Sequence, residues 1–134
     1  MTSGPDRPTT PEGSDSEQLA VRTVRRFYDL VDSGDVHGLA ALFALDAEYR
    51  RPGYDLMVGP EGLLDFYGRG RTIRVGKHAL TTLLTDGHTV GVFGEFHGEL
   101  NDGNPVHLRF ADSFTVCPDG LFSSRDTYFF APLV

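Results

Sequence analysis

Apolar residues in the first half of the chain recur with the period of an α-helix. This period predicts three helices, over residues 16–33, 36–45 and about 60–67. Ser16 and Asp35 fit the caps of the first two helices. Gly34 fits the end of the first helix, and Pro60 fits the start of the third.

The second half of the chain has the pattern of strands that are separated by turn residues. The predicted strands cover residues 75–84, 89–100, 106–116 and 121–130, and a shorter one covers 47–51. Asp-Gly steps and an Asn-Asp-Gly-Asn segment join the long strands, and such steps favour hairpins. Gly91, Gly94 and Gly98 indicate strong curvature within one strand. The pattern therefore predicts an α+β fold, with helices packed on one face of a mostly antiparallel meander.

Length and composition describe one globular domain. The chain has 134 residues, which fits a single domain over residues 17–134. Residues 1–16 are rich in Pro, Gly, Ser and Thr, so we expect a disordered tail there. The net charge of −7 disfavours nucleic acid as a partner. The arginines of residues 69–74 are interpreted as a solvated loop.

Other classes of site are disfavoured by the residues present. Cys117 is the sole cysteine, which excludes an intrachain disulfide. The five histidines show no pair at ligand spacing along the chain, so neither a metal nor another cofactor is expected. No apolar stretch has the length of a membrane span, and the first residues lack a signal-peptide pattern. The expected location is the cytoplasm.

One acidic residue interrupts an apolar strand face. Along residues 106–116 side chains alternate between two faces, and Asp112 is the single polar residue among Leu108, Phe110 and Phe114. A carboxylate in such a place must find partners or stay protonated. Either state suits a catalytic acid, although a purely structural tie to an arginine or to the backbone is the alternative.

The last strand offers a second carboxylate. With Asp119-Gly120 as the turn, position 112 lies across from about 127, so Asp126 lies within one position of it. Asp112 and Asp126 on one face would share a proton and supply an acid and a base. The alternative is that Asp126 faces outward and pairs with an arginine.

The order of elements and two motifs resemble the SnoaL-like superfamily, which includes polyketide cyclases, ketosteroid isomerase and limonene epoxide hydrolase. The motifs are Leu42-Phe43-Ala44-Leu45-Asp46-Ala47 and Arg109-Phe110-Ala111-Asp112-Ser113-Phe114. The resemblance implies a cone-shaped curved sheet wrapped around helices, with an apolar pocket inside. It also places Asp112 on the isomerase's oxyanion-hole acid, and Arg125-Asp126 on the hydrolase's last-strand motif.

The chain departs from both relatives at other positions. Phe27 stands where the isomerase has its catalytic tyrosine, and Arg51 stands where it has its base. Tyr49 and Arg51 occupy the hydrolase's tyrosine and asparagine positions. Arg109 is expected to point outward, because it lies three residues before Asp112 and not two.

Further residues complete the predicted site. Tyr49 and Arg51 share a strand face, where Arg51 would polarise a substrate oxygen or hold an acid ionised; a surface arginine is the alternative. His78 alternates with Leu80, Thr82 and Leu84, and would serve either as a general base or as a structural histidine. The aromatic residues expected to contact substrate are Tyr28, Phe96, Phe110, Phe114 and Tyr128.

The resulting hypothesis is a cofactor-independent acid/base enzyme of secondary metabolism that acts on a small hydrophobic molecule. The resemblance favours a polyketide cyclase or an epoxide hydrolase/cyclase. A non-catalytic module that binds a hydrophobic ligand, or an accessory domain that dimerises, is the alternative. A homodimer is an open expectation in either case.

Overall fold

The computed structural model describes residues 12–130. Its elements, in chain order, are α1 (Glu12–Ser33), α2 (Val36–Ala40), β1 (Phe43–Arg50), β2 (Met57–Val58), α3 (Gly59–Asp65), a π-helical turn (Phe66–Gly70), β3 (Ile73–Asp86), β4 (Thr89–Leu100), β5 (Pro105–Val116) and β6 (Phe122–Phe129). No helix within residues 12–130 is long and apolar enough to cross a bilayer.

Six strands form one curved, unclosed sheet in the order β2-β1-β6-β5-β4-β3. The strands β3 to β6 make the predicted antiparallel meander. The pairing of β1 with β6 is parallel and was not predicted. It sets Tyr49 beside Arg125, and so joins the early strand to the end of the chain at the level of the site. The predicted α+β class and the cone-shaped sheet are confirmed.

The helices differ from the predictions mainly at their ends. The helix α1 begins at Glu12, so part of the predicted tail is helical, while residues 1–11 lie outside the described part of the chain. The helix α2 ends at Ala40, because β1 already begins at Phe43. The backbone carbonyl of Leu42 accepts a hydrogen bond from the backbone N–H of Phe122, which ties this segment to β6. The predicted cap of α2 is confirmed: the Asp35 side chain accepts the backbone N–H of Gly38 at 2.9 Å.

The core lies between α1 and the concave face of the sheet. Phe27 of α1 is fully buried and meets Phe43, Phe114 and Phe122 edge-on, with ring centroids 5.6–6.0 Å apart. Such edge-to-face contacts add to the stabilisation that comes from burying the rings. This aromatic cluster fixes α1 over one end of the sheet.

A β-bulge in β3 changes which side chains face inward. Leu80 pairs with Gly94 but Thr82 pairs with Phe93, so Thr81 is the additional residue. The alternation predicted from His78 through Leu80 to Leu84 therefore holds only as far as Leu80. Leu84 is 59% exposed, and Thr82 is exposed as well.

Two glycines make room for one buried ring. Gly76 and Gly98 face each other across β3 and β4. A Cβ on Gly76 would lie 2.0 Å from Phe96 Cζ, and one on Gly98 would lie 2.7 Å from the same atom. The ring of Phe96 thus occupies the space that two side chains would take. It packs in turn against His78, with ring centroids 4.7 Å apart.

Candidate active site

Asp112 lies at the centre of a buried polar network. Its side chain is fully buried and accepts a hydrogen bond from Arg125 Nη2 at 2.9 Å. The hydroxyls of Tyr28 and Thr127 donate to the same carboxylate. All three partners supply hydrogens, so the carboxylate acts purely as an acceptor. The predicted burial of Asp112 is confirmed, but its partners are those of a structural anchor.

Arg125 carries the positive charge of this network. Its Nη1 donates to Tyr67 Oη at 2.7 Å, and its guanidinium lies 4.5 Å from the ring centroid of Tyr49 and 4.6 Å from that of Phe27. Burial acts to lower the pKa of Arg125, but the charge of Asp112 and the nearby oxygens of Tyr49, Tyr67 and Tyr28 together outweigh it and raise the pKa well above its ordinary value. Arg125 therefore stays charged in a dry environment.

A second chain of hydrogen bonds leads from the surface to Asp112. Arg51 Nη1 donates to Tyr49 Oη at 3.0 Å, and Tyr49 Oη lies 3.1 Å from Thr127 Oγ1. Because Thr127 gives its own hydrogen to Asp112, Tyr49 is the donor in that contact. Burial raises the pKa of Tyr49 to about 12, so the phenol keeps its hydrogen. Tyr49 and Arg51 share the inner face, as predicted.

His78 is held by an acidic residue that the sequence did not single out. Asp32, near the end of α1, accepts His78 Nδ1 at 2.6 Å and the backbone N–H of His78 at 2.9 Å. With Nδ1 donating, Nε2 is left as the acceptor nitrogen. Burial, with a smaller contribution from the charge of Arg125, lowers the pKa of His78 below 6.5 against the opposing effect of Asp32. The imidazole is thus neutral and correctly oriented to accept a proton.

The site opens into a small internal cavity of about 20 Å³, which is roughly the room that one water needs. Both networks reach it. Its polar lining consists of Arg51, Tyr67, Arg71, His78, Arg125 and Thr127, and its apolar lining of Val31, Ile73, Phe96, Leu108, Phe110 and Phe129. The sequence predicted an apolar pocket, but guanidinium groups dominate the polar part of this one.

A family model for the SnoaL-like domain matches residues 24–125. The chain belongs to the SnoaL-like domain family. The match runs from the middle of α1 to the middle of β6, and the cavity residues Thr127 and Phe129 lie just beyond its end. Among curated proteins, no significant match is found.

Solved structures share the SnoaL-like fold at low sequence identity. An NTF2-like protein from Anabaena variabilis is 20% identical with a TM-score of 0.77, over 92% of this chain and 95% of that one. SalBIII, an epoxide hydrolase/cyclase-like enzyme in pyran ring formation of salinomycin, is 21% identical with a TM-score of 0.75, over 84% and 92%. An LEH-like epoxide hydrolase from M. tuberculosis is 19% identical with a TM-score of 0.73, over 84% and 83%.

The predicted carboxylate pair of this SnoaL-like domain is wrong in its geometry. Asp112 pairs with Thr127 across β5 and β6, whereas Asp126 pairs with Ser113. A shift of one residue moves a side chain to the opposite face of the sheet. Asp126 accordingly points outward, where Arg50 Nη1 lies 3.5 Å from its Oδ1. The alternative of an outward aspartate paired with an arginine is confirmed.

The five predicted aromatic contacts divide into three groups. Phe96 and Phe110 line the cavity. Tyr28 and Phe114 are buried but lie in the core and do not line it. Tyr128 is 56% exposed on the outer face of the sheet, because it is two residues from Asp126 and shares its face. Its assignment to the inner pocket is therefore wrong.

The outer face carries a larger groove of about 370 Å³. Phe93, Tyr128 and Phe130 border it, together with Arg109, which lies 4.6 Å from the ring centroid of Phe130. The outward direction predicted for Arg109 is confirmed. His78 and Arg125 do not border this groove, so the acid/base groups are confined to the smaller inner cavity.

Five polar groups of the site are missed by sequence reasoning. Asp32, Tyr67 and Thr127 are not among the predicted site residues. The interpretation of residues 69–74 as a solvated loop is wrong for Arg71, whose side chain lines the cavity. Arg125 was joined to Asp126 as a motif, although alternation allows just one of the two to face inward. The predicted pairing of Asp112 with residue 127 was the signal that could have identified Arg125, because residues 125 and 127 lie on the same face of the strand as Asp112.

The structure also brings together potential metal ligands that the spacing along the chain did not indicate. Glu95, His97 and His107 offer ligand atoms that all lie within 4.8 Å of one another on the outer face. His97 and His107 are direct partners across β4 and β5. A search for ligand pairs within one segment cannot detect a pair that forms between two strands.

Proposed function

We propose that this SnoaL-like domain is a cofactor-independent acid/base enzyme that acts on a small carbonyl compound, as a cyclase or isomerase of the polyketide cyclase type. One observation carries the proposal. His78 lines the same cavity as Tyr67, whose oxygen accepts a hydrogen bond from Arg125. Within residues 12–130 the Nε2 of His78 has no hydrogen-bond donor, and the Tyr67 hydroxyl has no acceptor.

His78 is the proposed general base. Its orientation is set by two hydrogen bonds to Asp32. The imidazole packs against the rings of Tyr28, Phe96 and Phe110, and the distances between its ring centroid and theirs are 5.0, 4.7 and 5.4 Å. Such a fixed and neutral imidazole takes a proton from an activated carbon or a hydroxyl at neutral pH. Positioned bases of this kind contribute a rate factor of about 10²–10⁴.

Tyr67 is the proposed donor to the substrate oxygen. When His78 removes a proton from the carbon next to a carbonyl, the electron pair moves to the carbonyl oxygen, which becomes an enolate. The Tyr67 hydroxyl donates to that oxygen, and Arg125 strengthens the donor by holding the phenol oxygen. In a cyclase the enolate carbon then forms a carbon–carbon bond to a second carbonyl carbon of the same molecule. The π bond of that second carbonyl breaks, its oxygen takes the proton held by His78, and the first carbonyl is restored.

Asp112 is the proposed positioning residue. It does not line the cavity, and its three donors leave it without a hydrogen to give. It fixes Arg125, which fixes Tyr67. This role replaces the shared-proton pair that we expected from the sequence.

Epoxide opening is the nearest alternative reaction, because two structural relatives are described as epoxide hydrolase-like. Deprotonated water would attack one epoxide carbon, and the leaving oxygen would take a proton. Within residues 12–130 the cavity lining contains no carboxylate. This favours abstraction of a proton by His78 from the substrate itself.

The test uses two simple probes. α-Tetralone in D2O reports removal of a proton next to a carbonyl by loss of the NMR signal, and styrene oxide reports epoxide opening by formation of the diol. We expect the wild-type chain to accelerate exchange in α-tetralone, whose carbonyl would point into the inner cavity while its rings occupy the neighbouring cleft of about 170 Å³ beside Tyr67. His78→Gln should lower the rate by about 10²–10⁴, and Tyr67→Phe by about 10²–10³. Exchange in both variants at the wild-type rate contradicts the proposal.

The second candidate function is ligand binding without chemistry, and the three protein donors that hold Asp112 as a structural anchor favour it. A carrier would bind a small molecule equally well after His78→Gln or Tyr67→Phe, and would accelerate neither probe reaction. Acceleration of either probe that depends on His78 excludes a pure carrier.

A further inference from the structure

The cavity contains more positive charge than the network around Asp112 can neutralise. Arg51, Arg71 and Arg125 all line it. Asp112 is the partner of Arg125, while Asp32 is engaged by His78. Within residues 12–130, Arg51 and Arg71 form no salt bridge with a carboxylate. The cavity thus has an excess of positive charge, although the net charge of the whole chain is −7.

Arg71 is the more constrained of the two unpaired arginines. Its guanidinium carbon lies 5.0 Å from the ring centroid of Tyr67, and its Nε is buried without a partner within residues 12–130. Burial lowers the pKa of Arg71, and the charges of Arg51 and Arg125 add to that effect. A buried donor without an acceptor is costly, so the site is arranged for an acceptor that residues 12–130 do not supply.

Arg51 faces the same cavity from β1. Its guanidinium carbon lies 5.0 Å from the ring centroid of Phe66 and 4.9 Å from that of Phe129. Nη1 donates to Tyr49, which leaves the remaining N–H groups for a ligand. An arginine held by two aromatic rings and one hydrogen bond presents its fork in a fixed direction.

Arg71 also borders an adjoining cleft of about 170 Å³. Cleft and cavity share the lining residues Val31, Tyr67, Arg71 and Ile73. Arg71 and Tyr67 thus lie between the inner space and the outer one. A ligand that enters by this cleft meets Arg71 before it reaches His78.

We propose that the cleft and the cavity bind a small organic carboxylate, with the anionic group held between Arg71 and Arg51. This inference rests on the proposed function, since it names the class of substrate for the same site. Arginine recognises a carboxylate through two parallel N–H···O bonds. The carboxylate would fix one end of the molecule, while its carbonyl end lies between His78 and Tyr67.

The experiment compares a matched pair of probes by NMR titration of the labelled protein. Benzoate and benzamide have the same ring and differ in charge. We expect benzoate to bind at least ten times more tightly than benzamide. Arg71→Gln and Arg51→Gln should each weaken benzoate binding by about tenfold or more, while the control Arg69→Gln, at an exposed position, should not.

Two results would overturn this inference. One is equal affinity for benzoate and benzamide in the wild-type chain. The other is benzoate binding that survives both arginine substitutions in folded variants. Inorganic phosphate that binds with higher affinity than benzoate would also overturn the assignment to a carboxylate. Binding of benzoate by His78→Gln separates the two proposals, because that variant loses the proposed chemistry and keeps the anion site.

A second inference concerns Glu95, His97 and His107 on the outer face. Glu95 Oε1 lies 2.8 Å from His107 Nε2 and 3.6 Å from His97 Nε2. The two imidazole rings are stacked with centroids 4.0 Å apart and an angle of 18° between their planes. Both Nε2 atoms therefore converge on one carboxylate oxygen. Arg109, opposite Glu95 in the pairing, lies over the ring of Phe130.

We infer that these three side chains bind a Zn²⁺ ion. Two imidazole nitrogens and one carboxylate oxygen are the ligand types that zinc takes, and three protein ligands leave a fourth position open. The ion would lie between the present positions of the three ligand atoms. It is separate from the inner cavity, whose lining includes none of the three residues.

Isothermal titration with ZnCl2 tests this site. We expect one ion per chain with a Kd on the order of 10 µM or tighter. His97→Ala and His107→Ala should each weaken binding at least tenfold. The control His88→Ala, at another exposed histidine, should not. Equal zinc affinity in the wild-type chain and the His97→Ala/His107→Ala double variant overturns the inference.

Discussion

Asp32 binds both the ring and the backbone N–H of His78, although the two residues lie 46 positions apart in the chain. The hydrogen bond from Nδ1 selects the tautomer of the imidazole, and the bond from the backbone N–H holds the strand β3 at His78 against the end of α1. The end of α1 is therefore as much a part of the site as the strands are.

This relationship predicts the pH dependence. Burial lowers the pKa of His78 below 6.5, so the neutral base persists to lower pH than in a free histidine. The value of kcat/KM should be constant at neutral pH and fall on acidification, with a midpoint below 6.5. Folding stability should fall with it from pH 6.5 downward, because the unfolded chain binds the proton more readily.

Asp32→Asn should lower that midpoint further. The carboxylate of Asp32 raises the pKa of His78 against the effect of burial, so its removal leaves only the smaller effect of Asp112 to oppose burial. The plateau rate should also fall, since the amide orients Nδ1 less strongly. A pH–rate profile of α-tetralone exchange measures both quantities. A midpoint that moves to higher pH would contradict the assignment of Asp32 as the partner of the base.

The ion pair of Asp112 and Arg125 should dominate the stability of this end of the sheet. Asp112→Asn leaves Arg125 charged and buried, at a cost of about 3–5 kcal/mol in the free energy of unfolding. Arg125→Met should cost a similar amount. The double variant should lose much less than the sum, because no buried charge is then left alone. Urea unfolding of the four proteins gives the coupling energy, and strict additivity would contradict the pairing.

Asp126→Asn is the control for Asp112→Asn, because Asp126 lies on the opposite face of the sheet. It faces outward beside Arg50, and its side chain is 34% exposed. Surface pairs contribute about 0–1 kcal/mol. Asp126→Asn should leave α-tetralone exchange within twofold of wild type, and stability within about 0.5 kcal/mol. A loss of exchange in this variant would restore the carboxylate pair that the geometry argues against.

The glycine pair under Phe96 gives a packing prediction. Gly76→Ala would place a methyl group against the Phe96 ring and so displace it from His78. We expect a loss of about 1–3 kcal/mol in stability and a slower exchange reaction. Gly91→Ala is the control, since its Cβ would meet one atom alone, Leu84 O at 3.9 Å. Equal behaviour of the two variants would contradict this account.

Local patterns sufficed to predict most of the fold. Asp-Gly turns and alternating strands predicted the order of β3 to β6, and Asp35 predicted the start of α2. The parallel pairing of β1 with β6 joins segments that are far apart in sequence and share no local signal. The bulge at Thr81 was also unpredicted, since no glycine or proline marks it.

The site was predicted in part for a related reason. Asp112 could be identified because it interrupts an apolar strand face. To identify its partner Arg125, the β5–β6 register must be known to the residue. An error of one residue in that register places Asp126 on the inner face in place of Arg125. Asp32 and Tyr67 come from helical segments, and only the folded chain brings them to the cavity.

The buried ion pair also constrains how such a domain could acquire new substrates. Asp112 and Arg125 hold the sheet together and at the same time orient Tyr67, so a change at either residue disturbs folding before it alters selectivity. Arg51 and Arg71 lie at the rim of the cavity and contribute less to folding than the buried ion pair. Diversification of ligand preference should therefore proceed through these two outer positions, while the floor of the cavity is inherited unchanged.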